Sequence, residues 1–245
     1  MDSSLIVGAL LGAVIIGFLL FIRSQRSILH LMMGMVMFQL TGTGVMSFIA
    51  SVLIRSHGFN LVGAGTLIAF GYGAGNIVGM IGGGVLADRL GSRDVRWRAR
   101  IGLISACSAC FCLSILLVSA DKQVIAAWFF GWAFSCGLFA PPTYALFQSL
   151  VRPRMRATVS SVQNVVGYAI GGSLGPLIVG LVSNHFTETL GADALRHALM
   201  SMIPFYLWGA VHYFLAERTL ESDLQRASAL ATGRPGFIAR QPHPV

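Results

Sequence analysis

The sequence predicts an all-α, polytopic membrane bundle: two inverted three-helix units, preceded by one extra span near the N-terminus. Three observations carry that prediction. Of 245 residues only 11% are charged and 55% are hydrophobic, with a mean hydropathy of +0.74, whereas an ordinary soluble domain is about 25% charged. The ionisable residues fall in short clusters, and the apolar stretches between them run about 18 residues or longer, enough to cross a ~30 Å hydrocarbon core as helix. The segment GYGAGNIVGMIGGGVLAD also returns 96 residues later as GYAIGGSLGPLIVGLVSN.

Seven spans follow from the charge-free stretches: Ser4–Ile22, Ile28–Ile54, Val62–Ala87, Ile101–Ser119, Val124–Leu150, Ala157–Ser183 and Ala194–Ala216. Helix is the expected form, because a lipid-exposed backbone must satisfy its own hydrogen bonds. The first stretch is expected to be a span rather than a signal peptide, since Asp2 and no Lys or Arg precede it and no small-residue cleavage site follows. Orientation comes from the loops. Arg23 and Arg26, the five arginines from Arg89 to Arg100, Arg152, Arg154 and Arg156, and the four arginines of the tail lie on one side. Only Arg55, Lys122 and Arg196 lie on the other. Cytoplasmic loops hold the excess of basic residues, so the C-terminus is expected in the cytoplasm and Met1 outside.

In the repeat, Gly71 meets Gly167, Tyr72 meets Tyr168, Gly75 meets Gly171, Gly79 meets Gly175, Gly84 meets Gly180, and Asp88 meets Asn184. The third span therefore resembles the sixth. By the charge count the two run in opposite directions, as in inverted-repeat transporters. Gly71, Gly75 and Gly79, like Gly167, Gly171 and Gly175, recur every fourth residue and mark one helix face for close backbone approach. That face serves either packing within the chain or a sliding interface with another bundle.

The net charge of +8 does not point to nucleic acid, because the arginines sit at span ends rather than along one soluble face. Cys107 and Cys110 form a CxxC inside an apolar run, with no loop to present a metal or redox site. No Asp, Glu, Lys or Arg lies in the middle of a span, so the sequence contains no proton relay of the usual kind and no catalytic or metal-binding set. His30 and His212, near span ends, read as interfacial histidines. No enzyme activity and no cofactor are expected. Neutral polar residues are more informative: Gln39, Thr41 and Thr43 interleave with Gly42 and Gly44 in the second span. Pro141 and Pro142 in the fifth, expected to kink or break the helix, are followed by Tyr144 and Gln148. Tyr72, Asn76, Gln163, Asn164 and Tyr168 add polar groups to the third and sixth.

The stretch GGGVLADRLGSR resembles the signature loop of the major facilitator superfamily, matching it at Gly84, Asp88, Arg89, Gly91 and Arg93. The segments LFQSLVRPRMRATVSSVQNVVGYAIGGSLGPLIVGLVSN, VLIRSHGFN and LGADALRHAL are similar to its spinster-like branch, which is associated with lysolipid and sphingolipid export. The resemblance covers about residues 27–224 and implies the C-terminal half of such a transporter, with the first span as a sixth-helix equivalent. It implies that the second and fifth spans line a cavity, the third and sixth face the other half, and the fourth and seventh face lipid. Candidate cavity residues are then Gln39, Thr43, Tyr144 and Gln148. The resemblance further implies that Gly84, Asp88, Arg89, Gly91 and Arg93 form a cytoplasmic gate and that the six repeated glycines form the half-to-half interface.

The expected organisation is a span and short linker at 1–27, a six-helix half at 28–218, and a partly disordered cytoplasmic tail at 219–245. The expected function is alternating-access transport of a small, amphipathic or lipid-like organic molecule in an inner or plasma membrane, as a truncated or split half. Its partners would be the bilayer, the substrate, and an N-terminal half or a second copy. The alternative is a non-transporting membrane interaction protein or transporter remnant.

Overall fold

A computed structural model describes residues 26–151 and 155–231. The expected first span, Ser4–Ile22, and the chain beyond 231 lie outside the described residues. Six helices have the length and apolarity to cross a membrane: α1 (Arg26–Arg55), α2 (Leu61–Gly91), α3 (Arg96–Val118), α4 (Lys122–Ser149), α5 (Arg156–Leu190) and α6 (Ala194–Met200 continuing as Ile203–Ala231). They correspond to the second to seventh predicted spans. Local chemistry sets their ends. The Asn60 side chain accepts the Gly63 N–H at 2.6 Å to start α2, and Asp121 accepts the Gln123 N–H at 2.7 Å to start α4. Gly191, at φ +53°, ends α5 in a conformation that favours glycine. Near the start of α6, Pro204 offers no N–H to the Met200 carbonyl, and the helix is interrupted there.

The core lies between α1, α3, α4 and α6. Tyr206 and Tyr213 of α6 are fully buried in it, and each phenol is satisfied: Trp132 Nε1 donates to Tyr206 at 3.0 Å, and Thr143 and Tyr213 share a 3.0 Å bond. The pairing of helices is regular. α2 packs on α4 and α5 on α1; α3 packs on α4 and α6 on α1; α3 and α6 meet each other. Exchanging α1 with α4, α2 with α5 and α3 with α6 leaves that set unchanged, as the internal repeat requires. α2 and α5 also each contain a π-helical stretch, Leu67–Tyr72 and Gly167–Gly172.

Three expectations need correction. The repeated glycines do not face outward. A methyl at Gly75 would sit 2.8 Å from the Phe130 carbonyl, and one at Gly79 would overlap the Phe134 carbonyl. One at Gly171 would sit 2.9 Å from the Val36 carbonyl, and one at Gly175 would overlap the Leu40 carbonyl. Gly71 and Gly167 lie against Phe129 and Met35. All six serve close packing inside the chain. The faces turned outward on α2 and α5 are instead apolar, with Phe70, Ile77 and Ile81 on one and Val165, Leu177 and Leu181 on the other. Second, the helix does not break at Pro141 and Pro142: α4 passes through both as one helix. The Leu138 carbonyl, which loses its helical donor to Pro142, is the atom that lies against Gly83. Third, no boundary falls at residue 218. α6 continues to Ala231, Leu220 is fully buried, and Asp223 accepts the Ser27 N–H at 2.9 Å, so this segment caps α1.

Candidate functional site

Midway along the bundle, α1, α2, α4 and α5 line a half-open cavity of about 330 Å³. Its wall holds Gln39 and Thr43 of α1, Tyr72 and Asn76 of α2, Tyr144 of α4, and Gln163, Asn164 and Tyr168 of α5, with Met35, Met46 and Met80 between them. Among the described residues, no charged side chain lines it. The stacked rings of Phe38 and Phe139, 4.1 Å apart, bring α1 and α4 together beside it.

The polar groups differ in what they can still bind. Thr43 donates its hydroxyl proton to the Gln39 carbonyl at 2.7 Å, so its oxygen is left to accept. The Tyr144 hydroxyl donates to the Asn164 amide oxygen at 3.1 Å. The side-chain amides of Gln39 and Asn76 and the hydroxyls of Tyr72 and Tyr168 make no hydrogen bond with a described residue. Gln163 is fully buried. Its amide nitrogen donates to the Met35 sulfur at 3.4 Å, and its oxygen has no partner among the described residues. The wall thus presents donors and acceptors without net charge, against aromatic and thioether surface.

Three of the four predicted cavity residues, Gln39, Thr43 and Tyr144, lie on this wall. Gln148 does not; its amide donates to Ser160 at 2.5 Å and ties α4 to α5. The α2 and α5 contribution was not among the sequence-predicted cavity residues. A signal for it exists in the spacing, since Tyr72 and Asn76, like Asn164 and Tyr168, are four apart and share a helix face.

At the end of the bundle that carries the arginine-rich loop, ion pairs join α3 to α6. Arg100 binds Glu217 through two nitrogens at 2.7 and 2.8 Å, and Arg96 binds Glu221 at 2.5 Å. Asp94 accepts the Arg96 N–H at 2.9 Å at the start of α3. Asp88, Arg89 and Arg93 are exposed and form no ion pair with a described residue. Gly91 has a local role: a Cβ there would lie 2.8 Å from the Arg98 Nε, so the glycine lets that side chain cross. Gly84 faces open space.

Residues 9–176 match the family model described as the Major Facilitator Superfamily. This chain belongs to the major facilitator superfamily. An MFS-type efflux pump of Mycolicibacterium smegmatis is 30% identical over 202 residues, which are 82% of this chain and 47% of the pump. Two crystal structures of a bacterial homologue of the human lysosomal transporter Spinster share the fold. The inward-facing occupied form aligns with a TM-score of 0.69 at 20% identity, and the unoccupied form with 0.70 at 22%. Each match covers 82% of this chain and about half of the Spinster homologue, 51% and 50%. The chain therefore spans about half the length of the relatives it matches. As a superfamily member it is an integral membrane protein, and its six described helices follow the superfamily's architecture.

Proposed function

We propose that this chain forms the C-terminal half of an alternating-access transporter, with α1, α2, α4 and α5 supplying one wall of the substrate pathway. The observation that carries the reading is the uncharged, hydrogen-bonding cavity between those helices. Such a wall suits a small amphipathic organic molecule, with apolar bulk against Met and Tyr side chains and polar groups on Gln39, Asn76 and Tyr144. The efflux-pump relative supports export, and no enzymatic step is assigned to the chain.

The bare apolar faces of α2 and α5 would meet an N-terminal half or a second copy, and the two bodies would rock about the cavity. Asp88, Arg89 and Arg93, exposed and without ion pairs, are the groups such a partner would engage on the cytoplasmic side. The excess of arginines in the loops at that end supports a cytoplasmic C-terminus and a Met1 outside, in an inner or plasma membrane.

The test is ethidium uptake into inverted membrane vesicles, where export from the cytoplasm runs into the lumen, using the chain alone and co-expressed with the N-terminal half of the mycobacterial pump. Flux in either arm that falls at least tenfold in Asn76→Leu supports the reading. No flux in both arms favours a membrane protein that does not transport.

A further inference from the structure

A second cavity, of about 290 Å³, opens at the end of the bundle away from the arginine-rich loop, where the last turns of α1 and α5 meet the start of α6. It is more polar than the central cavity, although Phe48, Ala194 and Leu195 also line it. Arg55 and Ser51 line it from α1, and Ser183, Asn184 and Thr187 line it from α5.

Among the described residues, Arg55 is the one charged group on this wall. It forms no ion pair with any described residue, although Asp121, Glu188 and Asp193 belong to the same end of the bundle. The side-chain donors beside it are also unused: Ser51 Oγ, Ser183 Oγ and the Asn184 amide make no hydrogen bond with a described residue. Thr187 alone is engaged, donating to the Ser183 carbonyl at 2.7 Å.

The internal repeat sharpens this. Asn184 is the counterpart of Asp88, 96 residues earlier. In the first unit the position carries a carboxylate, and in the second it carries a neutral amide, opposite an arginine. An aspartate at 184 would supply Arg55 with its own counter-ion. An asparagine instead adds another donor and leaves the positive charge to an external anion.

We propose that this cavity binds a phosphate group, carried on a lipid headgroup or as the free ion. A guanidinium fork and an amide, both exposed, and two half-buried hydroxyls line one open space, and together they match the several acceptor oxygens of a phosphate. The site is separate from the central cavity and does not depend on whether the chain transports.

The full 245-residue chain, purified in detergent, is examined by native mass spectrometry with oleoyl-lysophosphatidic acid, and with monoolein as the matched lipid without phosphate. One equivalent of the phosphate lipid is expected to bind, at least tenfold more tightly than monoolein. Arg55→Gln and Asn184→Asp each weaken it at least tenfold. Lys122→Gln, which removes the same charge from the same end, leaves it within twofold. Asn184→Asp keeps the side chain's size and decides the matter alone if Arg55→Gln does not fold.

Inorganic phosphate is then added as a competitor. Displacement identifies the free ion as a sufficient ligand, and retention of the lipid identifies the headgroup with its chain; either result keeps the site. Equal binding by wild type and Asn184→Asp, equal losses in the Arg55 and Lys122 variants, or monoolein binding as tightly overturns the proposal.

Discussion

In the first three-helix unit, α2 lays Gly75 and Gly79 on the backbone of α4; in the second, α5 lays Gly171 and Gly175 on the backbone of α1. The interiors of the two units are built alike. Their ends are not. The end with the arginine-rich loop is fastened by carboxylates of α6, with Glu217 and Glu221 on Arg100 and Arg96 and Asp223 on the start of α1. The opposite end has fewer charges, leaves Arg55 without an ion pair among described residues, and buries His57 with an unpartnered ring nitrogen. Packing of small residues sets the repeated interior, whereas charge placement distinguishes the two sides of the membrane. A duplicated scaffold can thus keep one set of contacts and diverge in the other.

The strongest way to break this comparison is in the interior. Gly79→Ala and Gly175→Ala each drive a methyl into a facing carbonyl, and overpacking of this kind costs about 1–3 kcal/mol. Both variants should lose stability by similar amounts, about 2–3 kcal/mol, in SDS titrations of unfolding followed by circular dichroism. Gly84→Ala and Gly180→Ala, repeat-related positions with open space around them, should be neutral or stabilising by less than about 1 kcal/mol. A large difference between the Gly79 and Gly175 variants would mean that the two units are not built alike.

The next effect concerns the fastened end. Asp223 is 2% exposed and supplies the acceptor at the start of α1. Asp223→Ala should cost about 1 kcal/mol, with hydrogen exchange rising at the first turn of α1 and not at α4. Unchanged exchange there would show that the α6 extension does not hold α1.

A smaller loss is expected for Glu217→Gln, which leaves the partly exposed Arg100 without its main partner. An ion pair of this exposure is worth less than about 1 kcal/mol. The difference between wild type and variant should shrink in 1 M salt, where the screening length is about 3 Å.

The smallest effect is at the opposite end. Burial, and then the nearby Arg196 charge, lower the His57 pKa below its ordinary value of 6.5. The unfolded chain therefore binds the proton more readily, and stability rises with pH across the window between the lowered native pKa and 6.5. As pH falls through 6.5 the wild type should lose stability that His57→Gln does not lose. Parallel pH profiles for the two proteins would remove His57 as the cause.

Much of the fold was legible in the sequence. Hydropathy alone located α1 to α6 to within a few residues at most ends, because a hydrocarbon core demands long uninterrupted apolar helix. The repeat was legible because close helix contacts require glycine at set intervals, and Gly71 to Gly84 return as Gly167 to Gly180. The cavity was half legible. Gln39, Thr43 and Tyr144 stood out as polar residues in apolar spans, whereas Gln163 and Asn76 could not be separated from residues that only bond helix to helix. Gln148 illustrates the difficulty, since it has the same chemistry but turns to Ser160.

By itself, then, the sequence determined how many spans the described chain makes, where they lie, and that its halves are related, because these depend on local composition and on periods along one helix. Only the tertiary structure decided which neighbour each stripe meets. A row of glycines every fourth residue states that a backbone comes close, not whose backbone it is. That the rows of α2 and α5 turn inward to α4 and α1, that Glu217 and Glu221 bind Arg100 and Arg96, and that Asp223 caps α1 all follow from contacts between residues far apart in the chain. Such contacts depend on how helices rotate about their own axes, a variable that no pattern along a single helix contains.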